Sequence, residues 1–220
     1  MLKYIAVFLS FFLGAAVFAQ TVVPPFWVEI QAFKKGDSVQ PPPKHAILFV
    51  GSSSFQKWTD VQAYFPNDTI INRGFGGSSL PDLIRYADAV IVPYQPKQVV
   101  IYCGDNDLAA SDTVTAQTVY QRFVQLFGII RSQLPQTAIA FVSIKPSPSR
   151  AQLMPKMKEA NALIKAFLQT KPKTAFVDIF SPMLLPDGRP KPELFLEDSL
   201  HMNANGYKIW QKELQPVLLK

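Results

Sequence analysis

The sequence predicts a three-layer α/β/α sandwich around a central parallel sheet of about five strands. Short β-branched apolar runs lie at residues 46–50, 69–72, 98–103, 137–144 and 174–180. None of them alternates apolar with polar residues, and continuous apolar runs are typical of strands buried on both faces of a parallel sheet. Longer amphipathic segments separate the runs, which indicates right-handed crossovers. Together these features favour a flavodoxin-like arrangement.

Three of the longer segments have the spacing of helices. The segment before Pro135 places apolar residues at steps of three and four, which marks one helix face, and the proline ends it. The next segment keeps a similar stripe that Asn161 interrupts, and the C-terminal segment supplies a third. We interpret all three stripes as surfaces that face the core. Their residues are Tyr120, Phe123, Phe127, Ile130 and Leu134; Met154, Met157, Ile164 and Leu168; and Tyr207, Trp210 and Leu214.

The N-terminal residues 1–19 have the layout of a secretory signal peptide. Lys3 precedes an apolar stretch that ends in small residues, which places cleavage after Ala19. The stretch is short for a membrane span. We therefore expect a secreted or periplasmic protein, with a retained N-terminal anchor as the alternative.

The remaining chain divides into an arm and one domain. Residues 20–45 contain five prolines and little periodicity, which predicts an extended arm laid over the surface. Residues 46–220 form a domain of ordinary size. The single cysteine, Cys103, cannot form an intrachain disulfide, and its apolar surroundings indicate a buried small hydrophobe.

Charge indicates no nucleic-acid partner. The formal net charge is +6, and the lysines are spread without dense runs or interleaved aromatic residues. A slightly basic, solvated surface accounts for this composition.

Polar residues follow the apolar runs, where the carboxyl ends of parallel strands meet at one sheet edge. The first three runs are followed by "GSSS" (51–54), "NRGFGGSS" (72–79) and "GDND" (104–107), and the last by a long loop and "EDSLHMN" (197–203). Taken alone, each is a plausible turn or helix cap, and Ser54 suits a cap. Together they bring a hydroxyl, a glycine-rich backbone, an amide, a carboxylate and an imidazole to the same edge. A nucleophilic serine needs such partners.

The sequence offers two histidines as the base. His45 precedes the first strand, so we expect it at the opposite sheet edge, on the surface. His201 follows Asp198 by three residues, which makes the side chains neighbours on a turn, although Asp198 could instead cap a helix. Asp105 and Asp107 could suggest a cation site, but no further carboxylate or histidine cluster supports one.

The order of these motifs resembles the SGNH hydrolase superfamily, the GDSL-type esterases and lipases. Their four blocks bear a Ser, a Gly, an Asn and a His in chain order, and the match spans residues 46–215. The resemblance implies Ser53 as nucleophile, Asp198 and His201 as the rest of a triad, and an oxyanion hole formed by Ser53, Gly77 and Asn106. Ser52 stands where the family places an aspartate that helps to order the site.

The resemblance further implies ester hydrolysis without a metal or organic cofactor. A small-molecule or polysaccharide ester would be the substrate, and the lack of a lid-like apolar insertion favours short acyl groups such as acetyl esters on carbohydrate. Two alternatives stay open. One is a non-catalytic carbohydrate-binding relative, which the replacement at Ser52 motivates. The other is an acyltransferase or thioesterase that uses the same triad.

Overall fold

The computed structural model describes residues 23–220, in which five parallel strands form one sheet. The strands are β1 (Ile47–Gly51), β2 (Ile70–Gly74), β3 (Gln98–Tyr102), β4 (Ala138–Val142) and β5 (Thr174–Val177). Their order is β2-β1-β3-β4-β5, and every neighbouring pair is parallel. This is the flavodoxin-like order, so the predicted fold class is confirmed.

Helices cover both faces of the sheet. They are α1 (Trp27–Val39), α2 (Ser53–Gln56), α3 (Val61–Tyr64), α4 (Leu80–Val90), α5 (Asp105–Ala110), α6 (Ala116–Gln133), α7 (Met154–Gln169) and α8 (Ala204–Leu214). Helices α1, α4, α6 and α7 pack on one face, and α2, α3 and α8 pack on the other. Every residue of β1 and β3 is buried, because each strand contributes side chains to both core layers. This explains why the strand sequences do not alternate.

The predicted apolar stripes face the core. Helix α6 ends at Gln133, ahead of Pro135, and the apolar positions of α7 and α8 are buried. Asn161 interrupts the α7 stripe but is itself buried, and its side chain exchanges two hydrogen bonds with the backbone of Ile144. The amide therefore ties the loop after β4 to α7.

The expected extended conformation of the arm is wrong for residues 27–39, which form helix α1. The prolines lie outside this helix, at 24–25 and 41–43. Between them Ile30 is 1% exposed, and Phe33 packs against the same core layer. The apolar spacing of Phe26, Ile30 and Phe33 was the helical signal in this segment.

The predicted signal peptide lies outside the described residues, so it stays a prediction together with the export that it implies. In residues 23–220, no helix combines the length and the apolar character needed to span a bilayer.

Candidate active site

Ser53 is the first residue of α2 and lies two residues after the end of β1, at the carboxyl edge of the sheet. The turn requires Gly51, because its φ is +150° and a Cβ there would lie 1.9 Å from the Tyr102 carbonyl oxygen. Ser52 occupies the N-cap position of α2, and Ser54 is buried inside the helix. The expectation that Ser54 caps the helix is therefore wrong.

His201 lies on the same edge, in the loop before α8. Its Nε2 is 3.0 Å from Ser53 Oγ, and its Nδ1 is 2.5 Å from Asp198 Oδ2. Asp198 Oδ1 also accepts hydrogen bonds from the backbone N–H groups of Leu200 and His201. The structure thus brings together the serine, imidazole and carboxylate that the sequence singled out, in the order that a triad requires.

The charge of Asp198 is stabilised by its neighbours. Partial desolvation acts to raise the pKa of this carboxyl. The hydrogen bonds from the His201 ring and from the backbone N–H groups of His201 and Leu200 outweigh it and hold the pKa well below its usual range. Asp198 is therefore ionised in the folded protein near neutral pH. An ionised carboxylate is suited to orienting an imidazole.

Two backbone N–H groups at the carboxyl edge of the sheet are open, one in Ser53 and one in Gly77. Within residues 23–220, neither the Ser53 N–H nor the Gly77 N–H donates to a carbonyl or side chain. Gly77 has a φ of +81°, a conformation that favours glycine. An open pair of N–H donors at a helix start and a glycine turn is a fitting place for developing negative charge.

Asn106 contacts the loop that contains Gly77. Its Nδ2 donates to the Ser78 carbonyl oxygen at 2.9 Å, and its Oδ1 accepts from Arg150 Nη2 at 2.9 Å. Because Arg150 can only donate, this contact fixes which end of the amide is oxygen. The amide nitrogen accordingly lies on the Ser78 side, beside Gly77, with a second N–H to offer.

A buried ionic cluster, which we did not predict from the sequence, contacts Asn106 through Arg150. Asp105 Oδ2 is 3.1 Å from Arg150 Nη1 and 3.5 Å from Lys145 Nζ, and the Lys145 side chain is 1% exposed. Desolvation lowers the pKa of Lys145, and the charge of Asp105 opposes that shift. The usable signal was "SIKPSPSR" (143–150), which places both cations after β4, at the carboxyl edge of the sheet. The cluster holds Arg150 against Asn106.

The remaining aspartate of the "GDND" motif has a separate task. Asp107 accepts hydrogen bonds from the Leu80 N–H and from Arg122, so it anchors the start of α4 to α5 and α6. Burial raises its pKa, and the bonds from Leu80 and Arg122 oppose that shift. Asp105 and Asp107 therefore have different ion-pair and hydrogen-bond partners. Among residues 23–220, no group of three or more His, Cys, Asp or Glu side chains is placed to hold a metal ion.

Ser52, where the resemblance places an aspartate, is fully buried. Its N–H donates to the Tyr102 carbonyl oxygen, while its Oγ has no hydrogen-bond partner within the described residues. The hydroxyl therefore does not cap α2.

The other two residues weighed from the sequence lie away from the triad chemistry. His45 is exposed at the amino end of β1, as expected. Cys103 is fully buried, and desolvation raises the pKa of its thiol well above the ordinary value, which confirms its interpretation as a small hydrophobe.

The chain resembles known proteins in sequence and in structure. Residues 39–209 match the profile of the GDSL-like Lipase/Acylhydrolase family. No curated protein sequence matches the chain. A GDSL-like lipase from Bacteroides thetaiotaomicron superposes with a TM-score of 0.73 at 18% identity, covering 86% of this chain and 96% of the other.

Two further solved structures resemble the protein. A Bacteroides fragilis protein assigned as an acylhydrolase has a TM-score of 0.74 at 22% identity, with 87% of this chain and 96% of the other covered. An acetylxylan esterase from Geobacillus stearothermophilus has a TM-score of 0.63 at 15% identity, with 81% and 96% covered. The matched profile spans most of the chain, and these structures share its fold. The protein is a hydrolase and belongs to the GDSL-like lipase/acylhydrolase family.

Proposed function

We propose that the protein is a serine esterase that hydrolyses short-chain carboxylic esters, acetyl groups on carbohydrate among them. The observation on which this rests is the contact series from Ser53 Oγ through the His201 ring to Asp198, with distances of 3.0 and 2.5 Å. A serine becomes a nucleophile when a positioned base removes its proton, and this geometry supplies the base and its orienting carboxylate.

In the proposed mechanism Ser53 Oγ attacks the ester carbonyl carbon while His201 Nε2 takes the hydroxyl proton. Asp198 accepts the hydrogen bond from Nδ1 and stabilises the imidazolium. The imidazolium then gives its proton to the leaving alcohol, which leaves an acyl group on Ser53. A water molecule, deprotonated by His201, attacks that acyl-enzyme and releases the acid.

The negative charge on the carbonyl oxygen would be held by the N–H groups of Ser53 and Gly77 and by Asn106 Nδ2. Donors fixed before the reaction need no reorganisation when charge develops, which is why they stabilise the transition state strongly. The Arg150 contact supports this role, because it keeps the amide nitrogen of Asn106 from flipping away.

The choice of a short acyl group rests on two supports. The sequence of residues 46–220 shows no lid-like apolar insertion. One structural neighbour is an acetylxylan esterase, although its identity of 15% supports the fold more than the substrate.

The assembled contacts of Ser53 and His201 also favour an active enzyme over a non-catalytic relative. Transfer of the acyl group to another alcohol or from a thioester would use the same acyl-enzyme.

A substrate screen tests the proposal. We expect turnover of p-nitrophenyl acetate and release of acetate from acetylated oligosaccharides, both falling as the acyl chain lengthens. Acetylated xylan oligomers and p-nitrophenyl esters of two to eight carbons form the matched series. Binding of acetylated oligosaccharides without turnover of any ester would instead identify a non-catalytic carbohydrate-binding protein.

The pH dependence of kcat/KM should show a single acid limb. The base must be neutral to accept the Ser53 proton, and imidazole is the side chain whose charge ordinarily changes between about pH 5 and 8. Asp198 stays ionised across this window because its pKa lies well below the usual range. We therefore expect kcat/KM to fall about tenfold per pH unit on the acid side. A flat profile over this window would exclude His201 as the base.

A further inference from the structure

The N-terminal arm reaches the catalytic edge of the sheet. If a Cβ were added to Gly77, the ring carbon Cε1 of Phe26 would lie 4.0 Å from it. Apart from the adjoining chain, no other atom of residues 23–220 comes within 4 Å of that point. The Phe26 ring therefore borders the glycine whose N–H faces the reacting carbonyl in the proposed mechanism.

Phe26 is held in place by the loop that it borders. Its ring packs edge-on against Phe75, with 5.3 Å between centroids, and Phe75 is fully buried. Tyr86 Oη donates to the carbonyl oxygen of Pro25 at 2.6 Å. Phe26 itself has a φ of +64°, which is uncommon for a bulky residue. Strained backbone of this kind persists only where the surroundings fix it, and it is frequent at ligand sites.

A second set of contacts fixes the far end of helix α1. Asp37 forms an ion pair with Arg73 and accepts a hydrogen bond from Tyr94 Oη at 2.5 Å. Burial, and after it the bond to Asp37, raises the pKa of Tyr94 to about 12, so the phenol keeps the proton that it donates. With Ile30 also buried, the arm is anchored at both ends. These contacts therefore fix the position of Phe26 at the start of the helix.

The positions of His201 and Phe26 on the two faces of the sheet indicate which part of the substrate would lie near Phe26. Met202, the neighbour of His201, belongs to the core layer that contains α8, whereas Phe26 packs against the opposite layer. His201 must protonate the leaving alcohol, so the alcohol lies on the α8 side of the carbonyl carbon. In the proposed mechanism the acyl group would then point away from the alcohol, toward the layer that contains Phe26.

We propose that Phe26 is a specificity-determining residue that borders the acyl group and limits its length. The inference rests on the proposed esterase function and adds a residue outside the four family blocks. The aromatic ring fills space beside Gly77 that a longer acyl chain would need. Removing the ring opens that space without touching Ser53, His201 or Asn106.

The test compares acyl-length profiles. In Phe26→Ala, the ratio of kcat/KM for p-nitrophenyl hexanoate to that for the acetate should rise at least about tenfold, since methylene groups in an apolar site discriminate on this scale. Phe26→Gly is the second variant, because glycine suits the positive φ and keeps the backbone if alanine perturbs folding. Val28→Ala is the matched control: Val28 lies two residues after Phe26, in helix α1, and is 74% exposed. Its ratio should equal that of the wild type.

Each outcome decides the inference. A raised ratio in both Phe26 variants supports a boundary of the acyl site. A ratio that stays at the wild-type value, or a uniform loss for every ester, shows that Phe26 only supports the Gly77 loop and overturns the inference. In that case wild-type turnover still stands and the proposed esterase function survives. If the wild-type protein hydrolyses no ester, both fail together.

Discussion

Replacing Ser53 by alanine should reduce ester turnover to the background rate. The variant lacks the oxygen that forms the acyl-enzyme, while His201 and Asp198 have nothing to activate. Loss of the nucleophile in a serine triad costs on the order of 10⁶ in kcat. The initial rate of p-nitrophenyl acetate hydrolysis measures the effect, and binding of an unreactive product analogue should be unchanged.

Ser54→Ala is the control for this result. Ser54 is the next residue in α2 and is 2% exposed, yet His201 Nε2 contacts the hydroxyl of Ser53. Turnover by Ser54→Ala should therefore stay near the wild-type rate. Full activity in Ser53→Ala would remove the nucleophile assignment, and loss confined to Ser54→Ala would move it by one residue.

Replacing Asp105 by asparagine should destabilise the fold more than any substitution of a surface charge. Lys145 and Arg150 would face each other without a carboxylate, in a place where Lys145 is 1% exposed. Removing one partner from a buried ionic group costs about 3–5 kcal/mol in the free energy of unfolding. At about 2–4 °C per kcal/mol for a domain of this size, calorimetry should show a clear fall in Tm.

Asp187→Asn is the matched control, because Asp187 also pairs with an arginine, Arg189, but both side chains are at least half exposed. Exposed pairs contribute little, so its Tm should equal that of the wild type. Adding Lys145→Met to Asp105→Asn should recover part of the lost stability, since the uncompensated buried ammonium is then gone. Equal Tm values for Asp105→Asn and the wild type would show that the cluster is not stabilising.

Much of the fold could be predicted because the strands are buried on both faces. Continuous apolar runs such as "AILFV" (46–50) are compatible with few structures other than a strand buried on both faces. The parallel order follows from the helices between the strands. The same rule located the site: Ser53, Gly77 and Asn106 each follow a strand, so they had to meet at one edge.

Features that depend on loop conformation escaped prediction. The prolines around residues 27–39 concealed a helix that Ile30 anchors in the core. The pairing of Lys145 and Arg150 with Asp105 depends on how the loop after β4 folds back, which no local pattern encodes. Phe26 is far from Gly77 in sequence, and only the packing of the arm brings them together.

Labelling with a fluorophosphonate tests the central claim most directly. This reagent phosphonylates a serine that has an activated hydroxyl, and peptide mass spectrometry locates the adduct among the neighbouring Ser52, Ser53 and Ser54. We expect one adduct, at Ser53, formed by the wild-type protein and absent from His201→Ala. An unlabelled wild-type protein, or an adduct on a different serine, would contradict the assignment of Ser53, His201 and Asp198 as a catalytic triad.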